Sequence, residues 1–367
     1  MEITGKITGI SYQLILSNDL KKIQLKNFDI NQVPTSCIVV DGKHSFAISK
    51  WVSPKRTRSY PYERVYNTLN TSKKITVIPI VKDEGATGDR DFLQWDTVSL
   101  MSLLDVYVIF AYYNKADKAG SKITKQQFEN KFVLQKIKEI EAYHSSALHW
   151  NLNELKTNFH SILSKVVTSY KDIEKKTGVK LHGLKGLENF QKKIGKDVSL
   201  FMDFSRNKSV KAQAREFVTR QPKENLTTLS KAKITITNYL GGNYFFTVDE
   251  IIVAKKNLIL LEGKHCINSL LPSLSDIKDG LLKMILYSNL VETQVEGKGV
   301  NCKPVLELTS TKLNGIINSI SSKKEISDFL EGNNFNLPQK NIIAKMFEEA
   351  NMNNFMVTIK NERITRL

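Results

Sequence analysis

Val248-Asp249-Glu250-Ile251-Ile252-Val253, a connection of four residues, then Leu258-Ile259-Leu260-Leu261-Glu262-Gly263-Lys264 decides how this chain is read. Both runs are apolar and rich in β-branched or large aliphatic residues, and a short polar connection separates them. That pattern predicts two adjacent strands. Glu262 lies 13 residues after Asp249, so a hairpin of this length sets an acid on one strand beside an acid-x-lysine on the next. Glu262 and Lys264 are two apart and point to one face of the sheet, whereas Gly263 points to the other. Asp249 and Ile251 share one face, Glu250 and Ile252 the opposite one. Alternation alone leaves open which acid joins Glu262, and Asp249 is the preferred choice.

Two carboxylates brought close together are costly unless a cation lies between them. Hard oxygen donors select Mg²⁺, or Mn²⁺ in its place. A lysine beside such a site orients a water, and the combination suits hydrolysis of a phosphodiester. The arrangement resembles the PD-(D/E)XK nuclease superfamily, and within it the type II restriction endonucleases. The resemblance spans the chain from a helix expected at Ser209–Gln221 to the C-terminus. It implies that Asp249, Glu262 and the Gly263 carbonyl hold the metal and that Lys264 positions the water. It also implies an additional acid from the preceding helix, with Glu216 the first candidate, Glu224 the second, and Glu250 the other acid at the first position. Val248 stands where the family usually has proline. Lys283-x-x-x-Tyr287 occupies the helix where one branch of the family carries Gln-x-x-x-Tyr. The resemblance further implies double-stranded DNA as substrate and a homodimer as the active form.

Outward from this motif, Lys233–Tyr239 and Tyr244–Ala254 read as strands joined at Gly241-Gly242-Asn243. Ser273–Leu290 reads as an amphipathic helix with Ile277, Leu281, Leu282 and Ile285 inward, and Lys278 and Lys283 on it are candidate DNA contacts. Pro304–Thr309 is a strand, Pro338–Ala350 a helix and Phe355–Ile359 a closing strand. Upstream, residues 1–118 read as a β-rich domain, with strands at Lys21–Ile30, Ser36–Ser49, Lys74–Val81 and Asp105–Tyr113. Asp117–Ser121 reads as a linker. Residues 119–208 form a helical segment with apolar residues at 3.6-residue spacing, and 209–367 the nuclease domain. The predicted class is α/β, a mixed-sheet nuclease core behind a β-rich N-terminal domain and a helical middle segment.

Charge carries the next inference. The 367 residues hold 54 Lys and Arg against 37 Asp and Glu, a formal charge of +17. Residues 121–220 contain 20 basic and 10 acidic residues and so supply +10 of it. Such an excess attracts polyanions, nucleic acid before anionic membrane. Lys55, Arg56 and Arg58, flanked by Trp51, Tyr60 and Tyr62 and stiffened by Pro54 and Pro61, form either a phosphate-contacting loop or a basic surface loop with its aromatics packed inward. Acids at Asp83, Glu84, Asp89, Asp91 and Asp96, with Glu63, cap helices and pair with that loop, or else form a second metal site. Three cysteines, Cys37, Cys266 and Cys302, without paired spacing argue against a disulfide framework and fit a cytoplasmic setting. No apolar run is long and clean enough for a membrane helix, and no phosphate loop is present. The functional expectation is a Mg²⁺-dependent, sequence-specific endodeoxyribonuclease. The alternatives are a non-catalytic DNA-binding protein and a repair, transposition or RNA-cleaving nuclease with the same core.

Overall fold

The computed structural model describes residues 2–55, 61–183, 185–194, 199–203, 232–238, 243–254 and 256–364. They belong to two compact units, Asp19–Lys208 and Met1–Asn18 with Ser209–Leu367, each mixed α/β. No helix among the described residues is long and apolar enough to cross a membrane.

The chain opens with β1 (Glu2–Ile7). The unit Asp19–Lys208 then runs β2 (Lys22–Gln24), β3 (Ser36–Asp41), β4 (His44–Lys50), α1 (Pro61–Tyr66), β5 (Lys74–Pro79), β6 (Val81–Asp83), β7 (Arg90–Phe92), α2 (Trp95–Leu103), β8 (Val106–Ala111), β9 (Tyr113–Ala119), β10 (Lys122–Phe128), α3 (Asn130–Glu141), α4 (Ala147–Thr157), α5 (Phe159–Thr177) and α6 (Lys185–Ile194). Its main sheet has the order β2-β3-β4-β5-β8, with β3 and β4 antiparallel and the other neighbours parallel. Every residue of β8 is buried, as its unbroken apolar sequence requires. Its outer edge is closed by side chains of α4: Asn151 accepts from the Val108 amide at 2.7 Å, and Trp150 donates to the Val108 carbonyl at 3.0 Å. These bonds satisfy backbone groups that an open edge would leave for another chain.

The expected boundary at 118/119 falls inside a two-stranded ribbon. β9 and β10 pair across it, Ala119 opposite Lys122 and Lys118 opposite Ile123. Asp117–Ser121 is therefore a hairpin tip and not a linker. Gly120 takes φ 60°, the left-handed value that a two-residue hairpin turn needs at its first central position. The lysines of both strands hid the ribbon, because they break the apolar alternation by which strands are read.

The second unit continues with β11 (Ala232–Asn238), β12 (Asn243–Val248), β13 (Glu250–Ala254), β14 (Asn257–Cys266), α7 (Leu274–Ser288), β15 (Val291–Val295), β16 (Lys298–Gly299), β17 (Asn301–Ser310), β18 (Ile316–Asn318), α8 (Lys323–Gly332), α9 (Leu337–Met352) and β19 (Met356–Asn361). One sheet is ordered β12-β11-β1-β15-β16 and the other β13-β14-β17-β19-β18. The strand expected at Tyr244–Ala254 is split at Asp249, so β12 and β13 serve different sheets. β1 runs parallel to β11, from Glu2 opposite Lys233 to Ile7 opposite Asn238. The N-terminal residues thus belong with the C-terminal half and not with a domain 1–118. The fully buried carboxylate of Glu349 on α9 helps to fix them there: it accepts from the Tyr12 hydroxyl at 2.8 Å and from the Ile15 and Leu16 amides at 2.7 and 2.8 Å. The helix expected at Ser209–Gln221, with Glu216, and also Glu224 and the Gly241-Gly242 turn lie outside the described residues.

Candidate active site

β13 and β14 form the expected hairpin, Glu250 opposite Leu261 through Ala254 opposite Asn257. Asp249 stands one residue beyond the last pair, beside Glu262. β14 continues parallel to β17, with Glu262 opposite Leu306 and Lys264 opposite Leu308. Leu258, Leu260 and Leu261 are buried and carry the strand through the core, so Glu262 enters the interior at only 1% exposure. β14, α7 and β17 follow one another as strand, helix and parallel strand, and α7 covers the face to which Glu262 and Lys264 point.

On that face charges alternate in a chain. Lys283 of α7 donates to Glu262 Oε1 at 2.5 Å, Lys264 lies 3.0 Å from the same oxygen, and Asp279 of α7 accepts from Lys264 at 2.7 Å. Asp279 and Lys283 are one helical turn apart and so face the strand together. Gly280 permits this approach: a Cβ there would lie 2.6 Å from Leu306 Cδ1 and 3.5 Å from Lys264 Cε. Asp249 closes the site from the hairpin side, its Oδ2 accepting from the Gly263 amide at 3.0 Å.

Glu250 shares the face of its partner Leu261, which is the face opposite Glu262. Asp249 contributes to holding the Lys283 ammonium charged, together with Glu262 and Asp279, against the opposing effect of burial. Both observations place Asp249, and not Glu250, with Glu262 and Lys264. Glu250 is 2% exposed and remains an acid of the other face.

Burial pushes the Glu262 carboxyl up, but the charges and hydrogen bonds of Lys283 and Lys264 overturn this and hold it down at about 2. Burial likewise opposes charge on Lys264, and Glu262 and Asp279 outweigh it, so its pKa is raised. The carboxylate and both ammonium groups are therefore charged at neutral pH. Both ammonium groups use Glu262 Oε1. Glu262 Oε2 is buried without a hydrogen-bond partner, although an unpartnered buried carboxylate oxygen is costly. Among the described residues no group of three or more His, Cys, Asp or Glu side chains is arranged to hold a metal. The donors at hand are the carboxylates of Asp249 and Glu262 and backbone carbonyls such as that of Gly263.

His265 points to the opposite face, bonded to Thr309 Oγ1 at 2.9 Å and 3.6 Å from Glu362, and takes no part in the site. Cys266 bonds the carbonyls of Ser269 and Thr309. Glu307, in register with Gly263, pairs with buried Lys360 at 3.2 Å on that same opposite face.

Several expected DNA contacts are placed elsewhere. Lys278 is fully buried and cannot reach a phosphate at the surface. Lys283 belongs to the carboxylate site, since it lies on the helix stripe that faces β14. Tyr62 is 3% exposed and packs edge-on to Trp51, so it offers no ring to a base. Lys55 is half exposed and 3.4 Å from Asp91, which also accepts from Ser53 at 2.9 Å. Arg56, Arg58 and Tyr60 lie outside the described residues. The N-terminal acids have local partners: Asp83 binds His182 at 2.8 Å and the Gly85 amide at 2.9 Å, and Glu84 pairs with Lys82 at 3.0 Å. Sequence reasoning missed Asp279. Its signal was the spacing Asp279-Lys283-Tyr287, an i, i+4 stripe of which only Lys283 and Tyr287 were read.

Comparison with protein-family models, curated proteins and solved structures finds no match to this chain.

Proposed function

We propose that this chain is a divalent-metal-dependent endonuclease of the PD-(D/E)XK type, acting on double-stranded DNA in the manner of a type II restriction enzyme. The observation that carries the reading is Glu262. It is a buried carboxylate with two lysines on one oxygen and no partner on the other, set beside Asp249 where a hairpin strand meets a helix-crossed parallel sheet. The open oxygen and the oxygen-only donor set fit a hard cation, so Asp249, Glu262 and the Gly263 carbonyl are the residues that would hold Mg²⁺ or Mn²⁺. Such a cation supplies Lewis-acid polarisation of a phosphate oxygen and a water of lowered pKa.

The protein's own groups do the positioning. Lys264, tethered by Asp279, holds its ammonium at the site edge, where it orients a water toward phosphorus and offsets charge on the phosphate. Lys283 fixes Glu262 through Oε1 and so leaves Oε2 as the donor oxygen. Hydrolysis adds water to phosphorus and breaks one P–O ester bond, giving a phosphomonoester and a hydroxyl. Cleavage of both strands asks for two such centres, and the active form is accordingly a homodimer.

A second reading has its own support: Lys264 and Lys283 already neutralise Glu262, as they would in a purely structural ion-pair cluster of a DNA-binding protein. Incubation of the purified protein with plasmid and phage DNA, in Mg²⁺ or in EDTA, separates the two on a gel. Discrete fragments in Mg²⁺ alone, lost in Lys264→Ala, are the expected result. Intact DNA under every divalent cation would leave the binding protein.

A further inference from the structure

The β9–β10 ribbon stands apart from the main sheet as a two-stranded element of its own. It exposes Lys115, Lys118, Lys122 and Lys125 and, of carboxylates, Asp117. Asp117 lies 3.6 Å from Lys125, and no ion pair among the described residues involves the other three lysines. A bulge interrupts the ladder between Thr124 and Gln127, where Lys125 takes φ 45°; bulges of this kind twist a ribbon and re-aim its side chains. Thr124 and Gln127, on either side of it, are exposed.

The base of the ribbon is tied to the rest of its unit by side-chain contacts. Tyr113 stacks on Phe128 with ring centroids 4.5 Å apart, and the Tyr113 hydroxyl donates to the Val52 carbonyl at 3.0 Å. Gln126 donates to the Asp83 carbonyl at 2.6 Å and accepts from the Tyr170 hydroxyl at 2.9 Å. Beneath lies a cleft of about 580 Å³ whose charged lining is Lys50, Lys82, Lys122 and Lys125 against Glu84. A cationic arm is thus held out from a cationic cleft, already ordered and so spared most of the entropy cost of docking.

We propose that this ribbon enters the major groove of duplex DNA, with Lys115, Lys118 and Lys122 on phosphates and Thr124 and Gln127 at base edges. The choice of DNA rests on the nuclease reading above, and the shape supports it independently. The B-form major groove, about 12 Å wide, admits a two-stranded ribbon, and a glutamine there pairs with adenine through two hydrogen bonds. The A-form groove of duplex RNA is too deep and narrow for side chains to read.

The test uses the full chain in EDTA, so that binding is measured without cleavage, by fluorescence anisotropy of a labelled DNA duplex over a salt series. The triple variant Lys115→Ala, Lys118→Ala, Lys122→Ala alters exposed side chains alone and should melt at the wild-type temperature. Its affinity should fall at least ~10-fold, and the log–log salt slope should flatten by up to ~2.7, about 0.9 for each lost phosphate contact. Gln127→Ala should leave the slope unchanged and narrow the spread of affinities across a set of duplex sequences. Wild-type affinity and slope in the triple variant, alongside a wild type that binds and cuts DNA, would overturn the ribbon's role and leave the nuclease standing. Equal binding of an RNA duplex would overturn groove reading. A wild type that neither binds nor cuts DNA would end both readings.

Discussion

The two units are wound alike around opposite charges. In Asp19–Lys208 an antiparallel hairpin, β3–β4, is followed by α1 and the parallel strand β5, then by α2 and the parallel strand β8. In the other unit the hairpin β13–β14 is followed by α7 and the parallel strand β17, and later by the parallel strand β19. One residue beyond the outermost hairpin pair stands Lys50 in the first and Glu262 in the second. Lys50 donates to the carbonyls of Ile30 and Val33, both at 2.7 Å, and burial, with the nearby Arg64 charge, lowers its pKa. Glu262 instead takes two ammonium groups on one oxygen and leaves the other open. A winding makes a place, and the residue in it decides whether that place closes on itself or offers a donor.

The sharpest way to break this comparison is to delete both charges. Glu262→Ala should abolish cleavage, and it leaves Lys264 and Lys283 as buried cations without their shared anion, a loss of about 3–5 kcal/mol in chemical denaturation. Lys50→Ala removes two charge-assisted hydrogen bonds, should cost about 1.5–3 kcal/mol, and should leave cleavage near wild type. Equal loss of cleavage in both variants would mean that Glu262 acts through stability alone.

Gly280→Ala tests whether the closeness of α7 makes the site. The new methyl meets Leu306 Cδ1 at 2.6 Å, so overpacking should cost about 1–3 kcal/mol and weaken cleavage together with stability. An unchanged melting temperature would show that the helix has room to give.

The pH dependence follows from the direction of the shifts. Glu262 is depressed from 4.5 to about 2, so its contribution is present above the unfolded value and is lost as pH falls from 4.5 through about 2. Lys264 and Lys283 are raised, so their contribution is full below 10.5 and fades only above it. Acid denaturation of Glu262→Gln should consequently be flatter below pH 4.5 than that of the wild type, and the two curves should differ little in shape at neutral pH.

The smallest effect is expected at Gly263. A Cβ there meets nothing nearer than Asp249 Oδ2 at 4.0 Å, so Gly263→Ala should change stability by no more than about 0.5 kcal/mol and keep cleavage. A large loss would show that the strand must flex at this residue.

Much of the C-terminal fold was legible because its strands are written in apolar residues. Glu250–Val253 and Leu258–Leu261 pair in the hairpin, while Val248 ends a strand of the other sheet, and Ser273–Leu290 contains α7. Alternation also sets Glu262 and Lys264 on one face, since that follows from the two-residue period of any strand. The β9–β10 ribbon was not legible, because its positions carry lysine and glutamine and its signal reduces to Gly120. The membership of β1 was hidden too, for no local pattern tells a strand which partner, some 230 residues away, it will meet. At the site, the tertiary structure alone decided three things. It put Asp249 in and Glu250 out, because that depends on where β12 ends and β13 begins. It brought Asp279 and Lys283 onto the motif, because their reach depends on how closely Gly280 lets α7 approach. And it left Glu262 Oε2 open, because both lysines approach the same oxygen. Sequence fixes periodicity and charge, which are local; which groups meet, and which are left without a partner, is set by the packing of segments distant in the chain.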